Sequence, residues 1–417
     1  MKVIVYLNFI ISVVFTLCYF YQAIYVLVGL FRKNKVFTEQ KKHRYAVMIC
    51  ARNEGDVIGN LIESLNHQHY PKELFDVFVV ADNCTDHTKT AAESLGATVY
   101  ERFDTEKVGK GYALNWLLDR IKEDRGDVYE GFFVFDADNV VEPDFISEMN
   151  KLFSNGYRVI TSYRNSKNYG KNWISAGYAL WFLREARFLN HARMALSTSC
   201  AISGTGFLVS REVFQKNGGW VHHLLTEDIE FTTDSIIAGE TIGYCGRAVL
   251  YDEQPESFYQ SYIQRLRWSK GFYQVFKKYG ARLFSGIFHG SFACYDMLMT
   301  LMPAMLLTLI STVLNIIAIP VGLLTQAAET VELLTALAKT LLSFYGMFFL
   351  LGGITAICER KQIHCAAWKK VASVFTFPLF MLTYIPISVI ALFKRVEWQP
   401  IKHSVSVSVK DIHTTEM

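Results

Sequence analysis

The chain has 417 residues, 51% of them hydrophobic and 19% charged, and a formal net charge of +3. That weak, scattered positive charge excludes a nucleic-acid surface, which needs basic residues banded with aromatics. Uncharged runs at 3–31, 297–328, 340–358 and 371–393 exclude an all-soluble protein, because each approaches or exceeds the ~18 apolar residues that mark a membrane-spanning helix.

In chain order, the first run is too long for a signal-peptide core and lacks a small-residue cleavage site, so 1–32 reads as a retained anchor. Arg32, Lys33, Lys35, Lys41, Lys42 and Arg44 follow it against Lys2 before it, which puts Met1 outside and the insert in the cytoplasm. Within the insert, Tyr45–Cys50, Asp76–Asp82 and Phe132–Asp138 are apolar strands, each followed by helix-compatible sequence such as 54–65. Apolar strands separated by helices predict an α/β domain over 33–255, with a parallel sheet covered on both faces and ligands at the carboxyl ends of its strands. Arg52, Asn53, Glu54, Asp82, Asn83, Asp136 and Asp138 fall at those ends, and no GxGxxG or P-loop motif does. The stretch 173–196 is expected to be a packed helix near the ligand cleft, and His222 and His223 to be surface or pocket residues rather than metal ligands.

Residues 256–290 predict interfacial helices and 291–395 a membrane region of about three helices. Asp296, Glu329, Glu332 and Lys339 stand at the ends of apolar runs, where charges reach water cheaply. The eight cysteines form no CxxC pair and no zinc spacing, and read as thiols in a reducing compartment. If the fourth run spans, the basic tail Lys394, Arg395 and Lys402 falls outside, against the charge rule; Pro378 and Pro386 permit a kinked or partly interfacial path instead, and the side of the 396–417 tail stays open.

Three constellations carry the chemistry. Asp136-Ala137-Asp138 ends an apolar strand, where two carboxylates can offer oxygens to Mg²⁺ beside a diphosphate or form a solvated turn. Thr226-Glu227-Asp228 opens a helical pattern and is either an N-cap with acidic first-turn residues or a general base. Gln264, Arg267 and Trp268 form a QxxRW in an amphipathic helix that would also suit a membrane surface.

ARNE at 51–54, VVADNCTD at 79–86, GKGYALN at 109–115, FDADN at 135–139, SGTG at 203–206, LTED at 225–228 and QRLRW at 264–268 together resemble the membrane-embedded family 2 glycosyltransferases. That branch includes cellulose, hyaluronan, poly-N-acetylglucosamine and chitin-oligosaccharide synthases. The resemblance implies a GT-A fold between membrane helices, with Arg52, Glu54, Asp82 and Lys110 around the nucleotide and Asp138, assisted by Asp136, holding Mg²⁺ or Mn²⁺. It implies Asp228, with Glu227 beside it, as the base, and Arg267 stabilising the leaving diphosphate. Ser203, Gly204, Thr205, Gln264 and Trp268 would then meet the acceptor. The expected reaction is inverting β-transfer from UDP-N-acetylglucosamine or UDP-glucose to a growing saccharide, with an accessory export subunit allowed. The alternative acceptor is a membrane lipid, either a polyprenyl phosphate or diacylglycerol. The segment 396–402 is expected to be an interfacial anchor or, less often, a cap on the donor site like the gating loop of cellulose synthases.

Overall fold

The computed structural model describes residues 2–324, 329–401 and 403–414. Lys402 lies outside the described residues, as do the side chains of Glu329 and Glu332. The first apolar run divides at Phe20 into α1 (Lys2–Tyr19) and α2 (Tyr21–Phe31). The insert then begins with β1 (Tyr45–Ala51), α3 (Ile58–Asn66), β2 (Phe75–Asp82), α4 (Thr88–Ser94), β3 (Thr98–Arg102), α5 (Lys110–Arg125) and β4 (Gly131–Asp136). Val47, Ile49, Val79, Val80, Phe133 and Val134 are fully buried on these strands, as continuous apolar runs require when helices cover both faces. Ala113, Leu114, Leu117 and Ile121, at helical spacing on α5, close one face.

The second half comprises β5 (Val140–Val141), α6 (Phe145–Phe153), β6 (Val159–Ser166) and α7 (Trp173–Arg184). A π-helical turn (Glu185–Asn190), α8 (His191–Ala195), β7 (Phe207–Ser210), α9 (Arg211–Asn217), α10 (Glu227–Ile237) and β8 (Ile242–Asp252) complete it. The strands form one sheet in the order β3-β2-β1-β4-β7-β6-β8-β5. The expectation of a wholly parallel sheet is corrected at two strands, since β7 runs antiparallel to β4 and β6, and β5 antiparallel to β8. The reversal has a consequence: Phe207 pairs with Val134, so the turn at 203–206 is delivered to the carboxyl end of β4, beside Asp136.

α11 (Phe258–Phe288) carries the QxxRW and is capped by Ser257, whose side chain accepts from the Gln260 N–H. α12 (Phe292–Leu301), α13 (Pro303–Leu324), α14 (Glu329–Cys358), α15 (Ala367–Leu382), α16 (Tyr384–Phe393) and α17 (Val409–Thr414) follow. Among the described residues, Val3–Phe31, Leu333–Cys358 and Ala367–Phe393 are long and apolar enough to cross a membrane, whereas the predicted run 297–328 is interrupted at Met302.

Asp296 does not reach water as its position suggested. It is buried in an ion pair with Arg193, at 2.7 and 2.9 Å, and accepts hydrogen bonds of 2.8 Å from Tyr21 and Tyr25. These partners replace the hydration that a buried carboxylate loses.

One face of the fourth run packs against the insert and α11. The Tyr169 and Ser373 hydroxyls are 2.7 Å apart, Arg265 donates to the Phe380 carbonyl and Thr383 hydroxyl, and Tyr273 donates to the Ser388 carbonyl. The tail continues across the insert, where Glu253 accepts from the backbone N–H groups of Ser404 and Val405, and His413 lies 2.8 Å from Glu142. It therefore lies on the insert's side.

Candidate active site

Just beyond the ends of β1 and β2 stand asparagines with left-handed backbones, Asn53 (φ 57°) and Asn83 (φ 52°), a conformation asparagine tolerates better than other side-chain-bearing residues. Asn53 Oδ1 accepts from the Thr85 N–H and Asn83 Oδ1 from the Asp104 N–H, which fixes the loops that present Arg52 and Asp82. Asp82 accepts from Arg102 at 2.5 Å, and burial still holds its carboxyl above the ordinary aspartate value. The Arg52 guanidinium stands 5.1 Å from the centre of the Trp398 ring, and its Nη1 is buried without a partner. Glu54 has one oxygen 2.9 Å from His403 Nδ1 and the other buried and unpartnered, and burial raises its carboxyl.

At the end of β4, Asp136 Oδ1 accepts from Lys110 Nζ at 2.5 Å, and the same ammonium donates to the Gly204 carbonyl at 2.9 Å. Asp138 is buried and accepts from the Glu253 N–H at 3.0 Å. Burial works to raise its carboxyl, but the charges of His403, Lys167 and Arg164 outweigh that and hold it below the ordinary value. His403 shows the reciprocal effect: burial opposes its charge, while Asp138, Glu54 and Glu253 push it up to about 10, so a cation already stands against these carboxylates. The donor set therefore fits a hard divalent ion. Among the described residues no group of three or more His, Cys, Asp or Glu side chains surrounds a metal position, so Asp136 and Asp138 would leave the remaining ligands to diphosphate and water, the usual habit of Mg²⁺.

Across the cleft, α10 opens with Glu227 and Asp228. Thr226 makes no capping bond; Glu230 instead accepts from the His223 and Leu224 N–H groups at 2.9 Å. Burial raises both the Glu227 and Asp228 carboxyls, and for Glu227 the adjacent Asp228 charge adds to the effect, while Lys110 and Arg267 oppose it. Arg267 donates to the Leu225 carbonyl at 2.7 Å, tying the QxxRW helix to this turn. The approach is close because residue 271 is glycine: a Cβ there would stand 2.5 Å from the Thr226 side chain. Trp268 meets Tyr178 and Phe182 edge to face, and Gln264 Oε1 is buried without a partner.

The 203–206 turn brings Gly204 to the base, where a Cβ would lie 3.9 Å from Asp228 Oδ2. Ser203 donates to Glu185 at 3.4 Å. Thr205, expected to meet the acceptor, faces the other way: it is 2% exposed, receives the Asp136 N–H at 2.9 Å and donates to Asn139. It buttresses the DxD instead. His222 is likewise corrected, being buried 3.3 Å from Asp234 rather than exposed or in the pocket, while His223 stacks on Tyr112. Sequence reasoning missed Arg164 and Asp252, an ion pair at the ends of β6 and β8, as well as His403, and it placed Arg184 only within a packed helix near the cleft, without a role.

Every site residue expected from the sequence except Thr205, together with Arg164, Arg184, Asp252, Trp398 and His403, opens on one cavity of about 1110 Å³. Its far wall is made by side chains of α2, α14 and α16, among them Val26, Leu27, Leu351, Ile354, Ile385 and Val389.

Comparison with known proteins agrees with this layout. The chain shares 27% identity over 267 residues with the probable glycosyltransferase YdaM of Bacillus subtilis, covering 58% of each chain. It shares 26% with the beta-monoglucosyldiacylglycerol synthase of a Synechocystis species, over 56% of this chain and 48% of that one. A poly-beta-1,6-N-acetyl-D-glucosamine synthase of Staphylococcus epidermidis is 24% identical over 61% of this chain and 64% of its own. The matched regions thus span about half to two thirds of these relatives' own lengths. The mannosyltransferase PcManGT of Pyrobaculum calidifontis, solved with GDP-Man and Mn²⁺, superposes with a TM-score of 0.59 at 16% identity over 94% of this chain and 99% of its own, which establishes the GT-A fold. The model of the glycosyltransferase like family 2 matches residues 43–271, and the chain belongs to that family.

Proposed function

We propose that the protein moves one sugar, with inversion, from a UDP-sugar to a hydroxyl of a membrane lipid at the cytoplasmic face. The observation that carries this reading is the single cavity, which joins the carboxylates and cations at the sheet edge to an apolar wall on α2, α14 and α16. Aliphatic chains suit such a wall, whereas a saccharide would leave its hydroxyls unpaired there. The relatives named as beta-monoglucosyldiacylglycerol synthases support the same acceptor class.

In the reaction, Asp228 takes the proton of the acceptor hydroxyl as that oxygen bonds to the sugar's anomeric carbon. The bond to the diphosphate breaks, and the nucleoside diphosphate leaves with the electron pair. Lys110 and Arg267 hold the donor and stabilise the departing charge. Mg²⁺ or Mn²⁺, held by Asp138 and Asp136, would supply further neutralisation of the diphosphate. Arg52 and Asp82 take the nucleotide, and the tail covers them through Trp398, with His403 moving off Asp138 when donor binds.

The proposed topology has α1–α2 crossing once, α13 and α14 returning the chain, and α15–α16 lying along the insert. Lys394 and Arg395 then share a side with Arg360, Lys361, Lys369 and Lys370, which restores the charge rule. A second reading, extension of a saccharide, is favoured by Trp268, whose ring offers a sugar platform beside the unpartnered Gln264. Purified protein in nanodiscs, given a panel of UDP-sugars and analysed by mass spectrometry, separates the two: lipid plus one sugar supports the proposal, and a soluble ladder spaced by one sugar supports the second reading.

A further inference from the structure

α7 ends at Arg184, and the next six residues form the π-helical turn, a backbone irregularity that concentrates at functional sites. Arg184 lines the cavity and is 9% exposed. Its Nη2 donates to Gln22 Oε1 on α2 at 2.8 Å, its guanidinium stands 4.9 Å from the Trp181 ring centre, and its Nε is buried with no partner. No carboxylate among the described residues forms an ion pair with it. The neighbouring Glu185 carboxylate receives Ser203 instead. Burial lowers the Arg184 guanidinium to about 10, which leaves it charged at neutral pH.

The other arginines of the cavity have assigned work. Arg164 pairs with Asp252 and Arg193 with Asp296, while Arg52 and Arg267 serve the donor in the reading above. The Glu185 and Asp296 charges favour this cation from a distance, but a buried cation with no direct ion pair is costly, and a guanidinium pairs best with phosphate or carboxylate oxygens. Its placement identifies the carrier of that anion. On one side Gln22 leads to Ala23, Val26 and Leu27, which line the same cavity. On the other, Glu185 and Ser203 lead to Gly204 and the base. The use of a base asks for a hydroxyl nucleophile, since an ionised phosphate would attack without one.

We infer that Arg184, held by Gln22, binds the phosphate of a phospholipid acceptor whose headgroup hydroxyl reaches Asp228 and whose chains lie along α2. The inference rests on the lipid-acceptor reading and narrows it from lipids in general to anionic lipids bearing a headgroup hydroxyl.

The test uses the full chain in phosphatidylcholine nanodiscs doped with either dioleoylphosphatidylglycerol or dioleoylglycerol, supplied with the UDP-sugar it hydrolyses. Dioleoylphosphatidylglycerol should be glycosylated with kcat/KM about tenfold or more above dioleoylglycerol, the worth of one charge-assisted hydrogen bond. Arg184→Gln should raise the KM for dioleoylphosphatidylglycerol by about the same factor and leave the donor KM unchanged, and Arg184→Lys should recover most of the loss. Gln22→Ala, which keeps the cation, should raise the same KM by a smaller factor. Equal use of the two lipids overturns this inference alone, and that comparison needs no variant, so it stands even where Arg184→Gln fails to fold. A fall in kcat with both KM values unchanged in a folded Arg184→Gln also overturns it. Soluble oligosaccharide in place of glycolipid overturns the lipid reading and this inference together.

Discussion

Replacing Asp228 with asparagine tests both the chemistry and the electrostatics of the site. The substitution keeps the side chain's shape and removes the proton acceptor, so kcat should fall by about 10²–10⁴, the usual worth of a general base. The donor KM should hold, because Lys110, Asp136 and Arg52 are untouched. The same change should stabilise the fold at high pH. Burial holds the Glu227 and Asp228 carboxyls above their ordinary values, so the folded chain binds those protons more tightly than the unfolded chain. Stability is therefore full below the ordinary carboxylate range and is lost as pH rises through the raised values. Each pH unit of displacement corresponds to about 1.4 kcal/mol, or a Tm change of roughly 1.5–2 °C in a chain of this length. Asp228→Asn should accordingly melt about 2 °C higher than wild type at pH 8, without donor or metal, and at the same temperature near pH 4. Nucleoside diphosphate release under saturating donor gives the kinetic half and differential scanning fluorimetry the other. Activity within tenfold of wild type would refute the base assignment, and a lower Tm at pH 8 would refute the account of the buried pair.

Further outcomes follow from other contacts. Trp398→Ala removes the ring over Arg52 and should raise the donor KM by about three- to thirtyfold, the range of a partly buried cation–π contact, leaving acceptor KM unchanged in steady-state assays. Asp296→Ala strands the buried Arg193 charge and should cost about 3–5 kcal/mol, read as a lower melting temperature in detergent. Gly271→Ala drives a methyl into Thr226 and should lower kcat more than it lowers Tm, since it moves α11 and Arg267 away from Asp228; an unchanged kcat would show that this approach is not needed. Chelation by EDTA should abolish transfer, with Mg²⁺ or Mn²⁺ restoring it.

The features the sequence revealed are those written in consecutive residues. Apolar strands ending in polar clusters located Arg52, Asp82, Asp136 and Asp138 on one edge, because the alternation of buried strand and helix dictates which end of each strand meets ligand. What stayed hidden depends on partners far apart in the chain. His403 meets Glu54 across 349 positions, and Asp296 meets Arg193 across 103, distances at which hydrophobic periodicity carries no information. Thr205 was misplaced for a local reason: Gly204 and Gly206 both have positive φ, so the turn reverses direction and sends the threonine inward to Asn139. The antiparallel β7 escaped notice because four residues, Phe207–Ser210, give no signal of direction. Arg184 fell within a stretch expected to pack as a helix near the cleft, and its lack of an ion-paired carboxylate among the described residues depends on neighbours, such as Gln22 on α2, that the local sequence does not reveal.

The proposed reaction passes sugar from a nucleotide donor to a lipid held between the catalytic edge and α2. It is tested most directly by the mass of the product made by the full chain in nanodiscs with a radiolabelled UDP-sugar and Mn²⁺. A membrane lipid heavier by one sugar, absent with Asp228→Asn, is the predicted result. A water-soluble ladder with no glycosylated lipid would contradict it.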